Sequence, residues 1–212
     1  MIFESGNLYH IYNQGNNRQK IFYVRDNYLF FLKKLKKHVL PYADILAWCL
    51  MPNHFHLLVH VKQVYIPAIA ETDGVTPSHP VSNGSHPVNK EREISLSESI
   101  GILLRSYTRA INKQEHRVGA LFREETKAEC LTSIEGITPS FYNTPSGTLI
   151  NISDPEKEYP QICFDYIHLN PVSAGLTKTP EEWEFSSFRE YCGMRNGHLI
   201  NRVRAAEFGI KF

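Results

Sequence analysis

Trp48-Cys49-Leu50-Met51-Pro52-Asn53-His54-Phe55-His56-Leu57-Leu58-Val59 is an apolar run broken by one turn signal and two histidines. Pro and Asn favour turn positions. The run therefore divides into a strand from about Asp44 to Leu50, a turn at Met51-Pro52-Asn53, and a strand over His54–Val61. Residues i and i+2 of a strand share a face. His54 and His56 thus stand side by side, with Phe55 and Leu57 turned to the opposite layer. Two imidazoles on one face of a buried strand make half of a metal site and call for a further polar ligand. Taken alone, a His-x-His pair serves structure as readily as it serves a metal.

Upstream, Leu8-Tyr9-His10-Ile11-Tyr12 reads as a first strand, rich in aromatic and branched residues. Asn13 to Lys20 is a polar loop whose amide and cationic donors, Asn13 and Arg18 among them, suit phosphate contacts. Asp26 is a fair N-cap for a helix through about Val39, with Leu29, Phe30, Leu32, Leu35 and Val39 at helical spacing. Its other face carries Lys33, Lys34, Lys36 and Lys37, read either as a solvated face or as a phosphate-contacting stripe.

Downstream, the pattern breaks between Lys62 and about Glu93, where Ser-His-Pro-Val repeats. Gly136-Ile137-Thr138-Pro139-Ser140 echoes it within a second irregular stretch, Thr132 to Pro155. Both read as insertions in surface loops. His79 and His86 each precede a proline there and are not taken as ligands. Ser95 to about Gln114 reads as a helix with Ile100, Leu103, Leu104, Tyr107 and Ile111 on one face. Arg105, Arg109 and Lys113 form a basic stripe along it at every fourth residue, and Arg123 lies in the turn before a fourth strand within Thr126–Leu131. A helix from about Pro155 to Asn170 follows, ending before Pro171 by the pre-proline bias against helix. Trp183, Phe185, Phe188 and Tyr191 form an aromatic patch for packing the C-terminal segment onto the domain, and the tail from His198 to Phe212 has no assignment. Strand, helix, strand, turn, strand and helix in that order predict an α+β fold, a ferredoxin-like antiparallel sheet with helices on one face. The late helix is additional to it.

The chain has 212 residues, 42% of them hydrophobic, enough for one domain with a sizeable core. No run of about 18 apolar residues marks a membrane span. The start, Met1-Ile2-Phe3-Glu4-Ser5, lacks the basic-then-apolar pattern of a secretion signal. Cys49, Cys130, Cys163 and Cys192 are too scattered for a zinc knuckle or a redox pair. A reduced, cytoplasmic protein is expected. A formal net charge of +1 excludes a uniformly basic nucleic-acid binder, so binding to nucleic acid would have to rest on local patches.

The late helix reads Phe164-Asp165-Tyr166-Ile167-His168-Leu169-Asn170-Pro171. Tyr166 and Asn170, four apart, share a helical face. An amide oxygen is an acceptable ligand for a hard divalent cation, so Asn170 is a candidate third ligand beside His54 and His56. Tyr166 would then sit one turn away as a nucleophile toward a phosphodiester. Tyrosine hydroxyls titrate near 10 and attack poorly at neutral pH unless the target phosphate is polarised. Tyr107, near Arg105 and Arg109, is as attractive on composition.

Met51-Pro52-Asn53-His54-Phe55-His56-Leu57-Leu58-Val59, followed by Tyr166-Ile167-His168-Leu169-Asn170-Pro171-Val172-Ser173-Ala174-Gly175-Leu176, resembles the HUH-class single-tyrosine transposases, nearest their REP-associated branch. Tyr9 to Gly15, Gly119 to Lys127 and Trp183 to Phe188 are similar to that branch as well. The likeness runs over residues 8–192 and is interrupted by the two insertions, which gives one domain over residues 1–192 and a tail over 193–212. It implies a ferredoxin-like fold and metal-dependent cleavage and rejoining of single-stranded DNA, often at a hairpin, with Mg²⁺ or Mn²⁺. It also implies His54 and His56 as metal ligands, Asn170 as the polar third ligand and Tyr166 as the nucleophile of a 5′-phosphotyrosine link. It places Tyr107 in the wrong helix for that role. It leaves open a monomer or a homodimer in which the tyrosine helix serves the partner. The insertions, Pro160 within the late helix and the near-zero charge depart from the pattern. The alternative is a catalytically inactive protein that only binds hairpin or single-stranded DNA.

Overall fold

The structure is a computed structural model and describes residues 1–67, 92–132, 142–144, 147–149 and 155–212. The hairpin predicted around Pro52 is its centre. Strand β2 (Ala43–Met51) and strand β3 (His54–Val61) pair antiparallel, with Met51 opposite His54. Strand β1 (Leu8–Gln14) lies on the other side of β3, Tyr12 opposite His56 and Gln14 opposite His54. A short strand pairs beyond β1 at Lys127–Cys130, giving a four-stranded antiparallel sheet. Counting in chain order, this fourth sheet strand is β6. It is preceded by a two-stranded ladder of β4 (Tyr65–Pro67) and β5 (Glu93–Ser95), which joins the two ends of the first insertion. Another ladder, β7 (Tyr142–Thr144) with β8 (Gly147–Leu149), lies within the second insertion. His79 and His86 lie outside the described residues.

The sheet order is β2-β3-β1-β6. With helix α1 (Arg25–His38) after β1 and helix α2 (Leu96–Gln114) after β3, the order of elements is that of a ferredoxin-like α+β sandwich. Both helices cover one face. Tyr28, Phe31 and Leu35 of α1 and Ile100, Leu103, Tyr107 and Ile111 of α2 pack with Ile11, Trp48, Phe55, Leu57 and Val59. Leu29 and Phe30, expected on the buried side of α1, are exposed at 41% and 36%. Tyr28 takes the core position because its ring stacks on Phe185, 3.8 Å between centroids. Asp26 is not the N-cap. Val24 is, and Asn27 Oδ1 accepts from the Tyr23 and Val24 N–H groups. Helix α2 starts as its sequence predicts, with Ser95 and Glu98 capping each other's backbone N–H.

The other face of the sheet carries helix α3 (Pro155–Ser173), whose Tyr159, Cys163, Phe164 and Ile167 cover Leu46, Ala47, Cys49, Met51 and Leu58. A shift in register between Ile45 and Ala47 of β2 sets which residues meet which layer. The late helix does not end before Pro171. Pro160 and Pro171 both lie inside it, and it closes only after Ser173. Gly175 N–H then donates to the Val172 carbonyl and Leu176 N–H to the Pro171 carbonyl, with Gly175 at φ 68°. That is a Schellman closure, for which glycine suits the left-handed position. The burial of Ile167 against the sheet and of His168 against Ser187 holds the turn against the pre-proline bias.

The free edge of β2 is covered by the C-terminal region. Leu50 N–H donates to the Phe185 carbonyl, Ser187 N–H to that of Trp48, and Asn201 N–H to that of Ile45. Helix α4 (Phe188–Tyr191) follows, and its Tyr191 hydroxyl donates to the Leu46 carbonyl at 2.6 Å. Residues 198–212, unassigned by sequence, contain helix α5 (Arg202–Glu207) and bury Ala205 and Ile210 in the α3-side core. Among the described residues, no helix is long and apolar enough to cross a membrane.

Candidate active site

His54 and His56 project from β3 toward α3, on the face opposite Phe55 and Leu57, as strand alternation requires. Their ring centroids are 5.0 Å apart. Helix α3 crosses beside them and presents Asn170 and Tyr166, one turn apart. Asn170 Oδ1 lies 3.0 Å from His54 Nε2, and Asn170 Nδ2 lies 3.5 Å from His56 Nε2. The Tyr166 ring meets His56 edge to face, with centroids 5.2 Å apart. All four residues predicted for the site therefore converge within one chain. Tyr166 is 40% exposed, while His56 is 5% exposed.

The protons of this cluster can be assigned from partners. Asn53 Oδ1, which only accepts, lies 2.6 Å from His54 Nδ1. Nδ1 therefore carries the proton of the neutral ring and Nε2 presents its lone pair. That lone pair faces the Asn170 carbonyl oxygen, another acceptor, at 3.0 Å. Cis ligands held about 2.1 Å from one octahedral cation stand roughly 3.0 Å apart. Two imidazoles and an amide oxygen could therefore hold a divalent cation. Among the described residues no three His, Cys, Asp or Glu side chains converge as a cation site, so an amide would have to complete the set.

Burial holds the His54 ring below its usual pKa, opposed by the Asn170 carbonyl, which would accept from the protonated ring. His56 is held well below, by burial first and then by His10 and His54. Both are uncharged at neutral pH, as metal-binding imidazoles must be. Burial pushes the Tyr166 hydroxyl up, opposed by a hydrogen bond with Asn170. The phenol on its own is therefore a weaker nucleophile at neutral pH than tyrosine in water. Tyr107 is fully buried in the α2 core and its hydroxyl donates to the Ile21 carbonyl at 2.8 Å, across the sheet from the histidines.

A cavity of about 350 Å³ opens over the cluster, lined by Tyr12, His54, His56, Arg123, Lys127 and Tyr166. Asn13, Arg123 and Glu125 are shared with a larger groove of about 750 Å³, which runs on past Arg105, Thr108 and Arg109 of α2. Of the predicted phosphate contacts, Arg105, Arg109 and Arg123 are exposed and line this groove. Lys113 and Arg18 are exposed but line neither cavity. Asn13 lines both cavities, and its part there is structural. Its side chain is buried, and Nδ2 donates to the Arg123 carbonyl and to Thr126 Oγ1, so it shapes the loop that carries Arg123.

The fold has a solved counterpart. A structure described as a REP-associated tyrosine transposase bound to a REP hairpin superposes with a TM-score of 0.51. The match covers 95% of this chain and 92% of that one at 15% identity. The likeness is one of overall fold. No family model matches the sequence, and neither does any curated protein.

Sequence reasoning missed three side chains near the site. His10 and Tyr12 lie on the α3 side of β1, and the Tyr12 hydroxyl donates to Glu129 Oε1 at 2.6 Å. Both residues alternate with buried Tyr9 and Ile11, a signal legible once β1 is paired with β3. His168 faces the core from α3, with Nε2 2.7 Å from Ser187 Oγ.

Proposed function

We propose that this protein cleaves and rejoins single-stranded DNA at or beside a hairpin, in the manner of a transposase, with Tyr166 as nucleophile. The observation that carries the reading is the convergence of Tyr166 and Asn170, one turn apart on α3, on the His54 and His56 rings of the same chain. The Arg105, Arg109 and Arg123 groove leading to that point supports a polyanionic substrate. The hairpin in the counterpart's description makes hairpin DNA the substrate to test.

His54, His56 and Asn170 would hold a divalent cation, which when bound supplies polarisation of the scissile phosphate. The chain's own residues do the rest. Arg123, at the junction of the two cavities, steadies the phosphate backbone. Asn170 hydrogen-bonds Tyr166 and orients its hydroxyl. The Tyr166 Oη forms a bond to phosphorus as the bond from phosphorus to the 3′-oxygen breaks. The phenolic proton passes through solvent, and the departing 3′-oxygen ends as a hydroxyl. The 5′-phosphotyrosine keeps the energy of a phosphodiester, so a 3′-hydroxyl can reverse the step without a nucleotide cofactor.

The test is covalent capture of a labelled single-stranded or hairpin oligonucleotide on a denaturing gel with Mg²⁺ or Mn²⁺. Tyr166→Phe is expected to abolish the adduct while binding survives, and Tyr107→Phe to retain it. An undiminished adduct with Tyr166→Phe would sink the assignment. The amide third donor, in place of an ionisable one, keeps a binding-only protein as the second reading. Binding without any adduct in the unaltered protein, with or without metal, would establish that alternative.

A further inference from the structure

His10 lies on β1 diagonally across from His56 on β3, since Tyr12 is the residue paired with His56. Diagonal neighbours on one face of an antiparallel pair are within reach of long or aromatic side chains. Here the two rings stack, with centroids 5.1 Å apart and planes 22° from parallel. His10 Nε2 stands 2.9 Å from His56 Nδ1. Both side chains are buried, His10 at 8% exposure. A contact of this length between two neutral imidazoles holds one proton, on one ring or the other.

The opposite nitrogen of His56, Nε2, is the one turned to Asn170. For Nε2 to offer a lone pair, the ring's proton must sit on Nδ1, and His10 Nε2 must accept it. The reverse arrangement, with His10 donating, would put a proton on His56 Nε2 and close the ligand position. We propose that His10 is a positioning residue, which accepts from His56 Nδ1–H and so fixes His56 in the tautomer whose Nε2 binds the cation. Asn53 does the same for His54 through its carbonyl oxygen. The two strand histidines thus have matching supports from different elements, one in the hairpin turn and one on the neighbouring strand. This inference rests on the metal reading of His54, His56 and Asn170.

Partners that orient ligating histidines typically contribute 10- to 100-fold in metal affinity. His10→Leu, which cannot accept, is expected to weaken Mn²⁺ binding by roughly that factor in an electron paramagnetic resonance titration without DNA. His10→Gln, whose carbonyl can accept from Nδ1–H, is expected to recover most of the loss. A merely space-filling role would give no such recovery. Equal Mn²⁺ affinity in the unaltered protein and His10→Leu overturns the inference and leaves the metal reading standing. Absence of Mn²⁺ binding in the unaltered protein overturns the metal reading, and this one with it. A measurement independent of any variant is the ¹⁵N spectrum of the His56 ring in the unaltered, metal-free protein. The Nδ1–H form supports the role given to His10, and an Nε2–H form overturns it.

Discussion

His168 is two residues beyond Tyr166, and the helical twist turns it from the cavity into the core. Its ring packs against Phe164, Phe188 and Tyr191, and Nε2 reaches Ser187 Oγ, which also accepts from the Trp48 N–H. Burial pulls its pKa down to about 3. The unfolded ring titrates near ~6.5, so on acidification the unfolded state takes up this proton first. The stability tied to His168 is full above about pH 6.5 and is lost progressively as pH falls toward 3. The limiting slope for one such group is about 1.4 kcal/mol per pH unit. Urea unfolding between pH 7 and pH 4 should show that dependence, and His168→Gln should reduce its slope by up to about 1.4 kcal/mol per pH unit, the buried His10 and His56, also held low, supplying the remainder. An identical slope in the variant would mean that another group governs the acid limb. The variant should also slow adduct formation, because His168 ties the turn that carries Tyr166 to β2 and the Ser187 segment.

At the scale of elements, α3 depends on how it stops. Gly175 sits at φ 68° with open space where an alanine methyl would lie, so the substitution meets no clash and only backbone strain. Left-handed backbone costs a non-glycine residue roughly 1 kcal/mol. Gly175→Ala is expected to lower stability by about that much, a shift of a few degrees in melting temperature. Gly175→Asn should cost less. A neutral alanine variant would mean that the last turn frays without cost to the whole. This closure was hard to read because Pro171 outweighs Gly175 as a local stop signal, and the packing that overrules it comes from β2 and β3, more than a hundred residues away in sequence. By contrast, β3 was legible to the residue, since alternation and the Pro-Asn turn bound it at one end. The site followed the same division. His54, His56 and Asn170 carried their own spacing, whereas His10 gained meaning only from the register that sets Tyr12 opposite His56. The buried face of α1 was misread because Tyr28-Leu29-Phe30-Phe31-Leu32 is apolar on every side, and Phe185 decides which ring goes inward.

Across the whole molecule, 23 basic and 22 acidic side chains nearly cancel, so charge must act through its placement. Arg105, Arg109 and Arg123 gather along one groove that opens onto the Tyr166 cavity, while exposed Lys33 and Lys36 lie on α1 and line neither cavity. Glu124 and Glu125 line the same groove and reduce its field at long range. Their screening makes contact, more than steering, the source of affinity. Each phosphate neutralised on a single strand contributes about 0.7 to the slope of log affinity against log salt. Replacing Arg105, Arg109 and Arg123 together by alanine should therefore reduce the slope for single-stranded DNA by about 2. The melting temperature should stay within a degree or so, because all three side chains are exposed. Lys33→Ala with Lys36→Ala should leave the slope unchanged if those lysines form only a solvated face. Fluorescence anisotropy at several salt concentrations reads both variants. The opposite pattern, with the slope lost from the lysine pair and kept by the arginine triple, would put the strand on α1, outside the groove that leads to Tyr166. The proposed nuclease chemistry would then lose its substrate path, even with its four site residues in place.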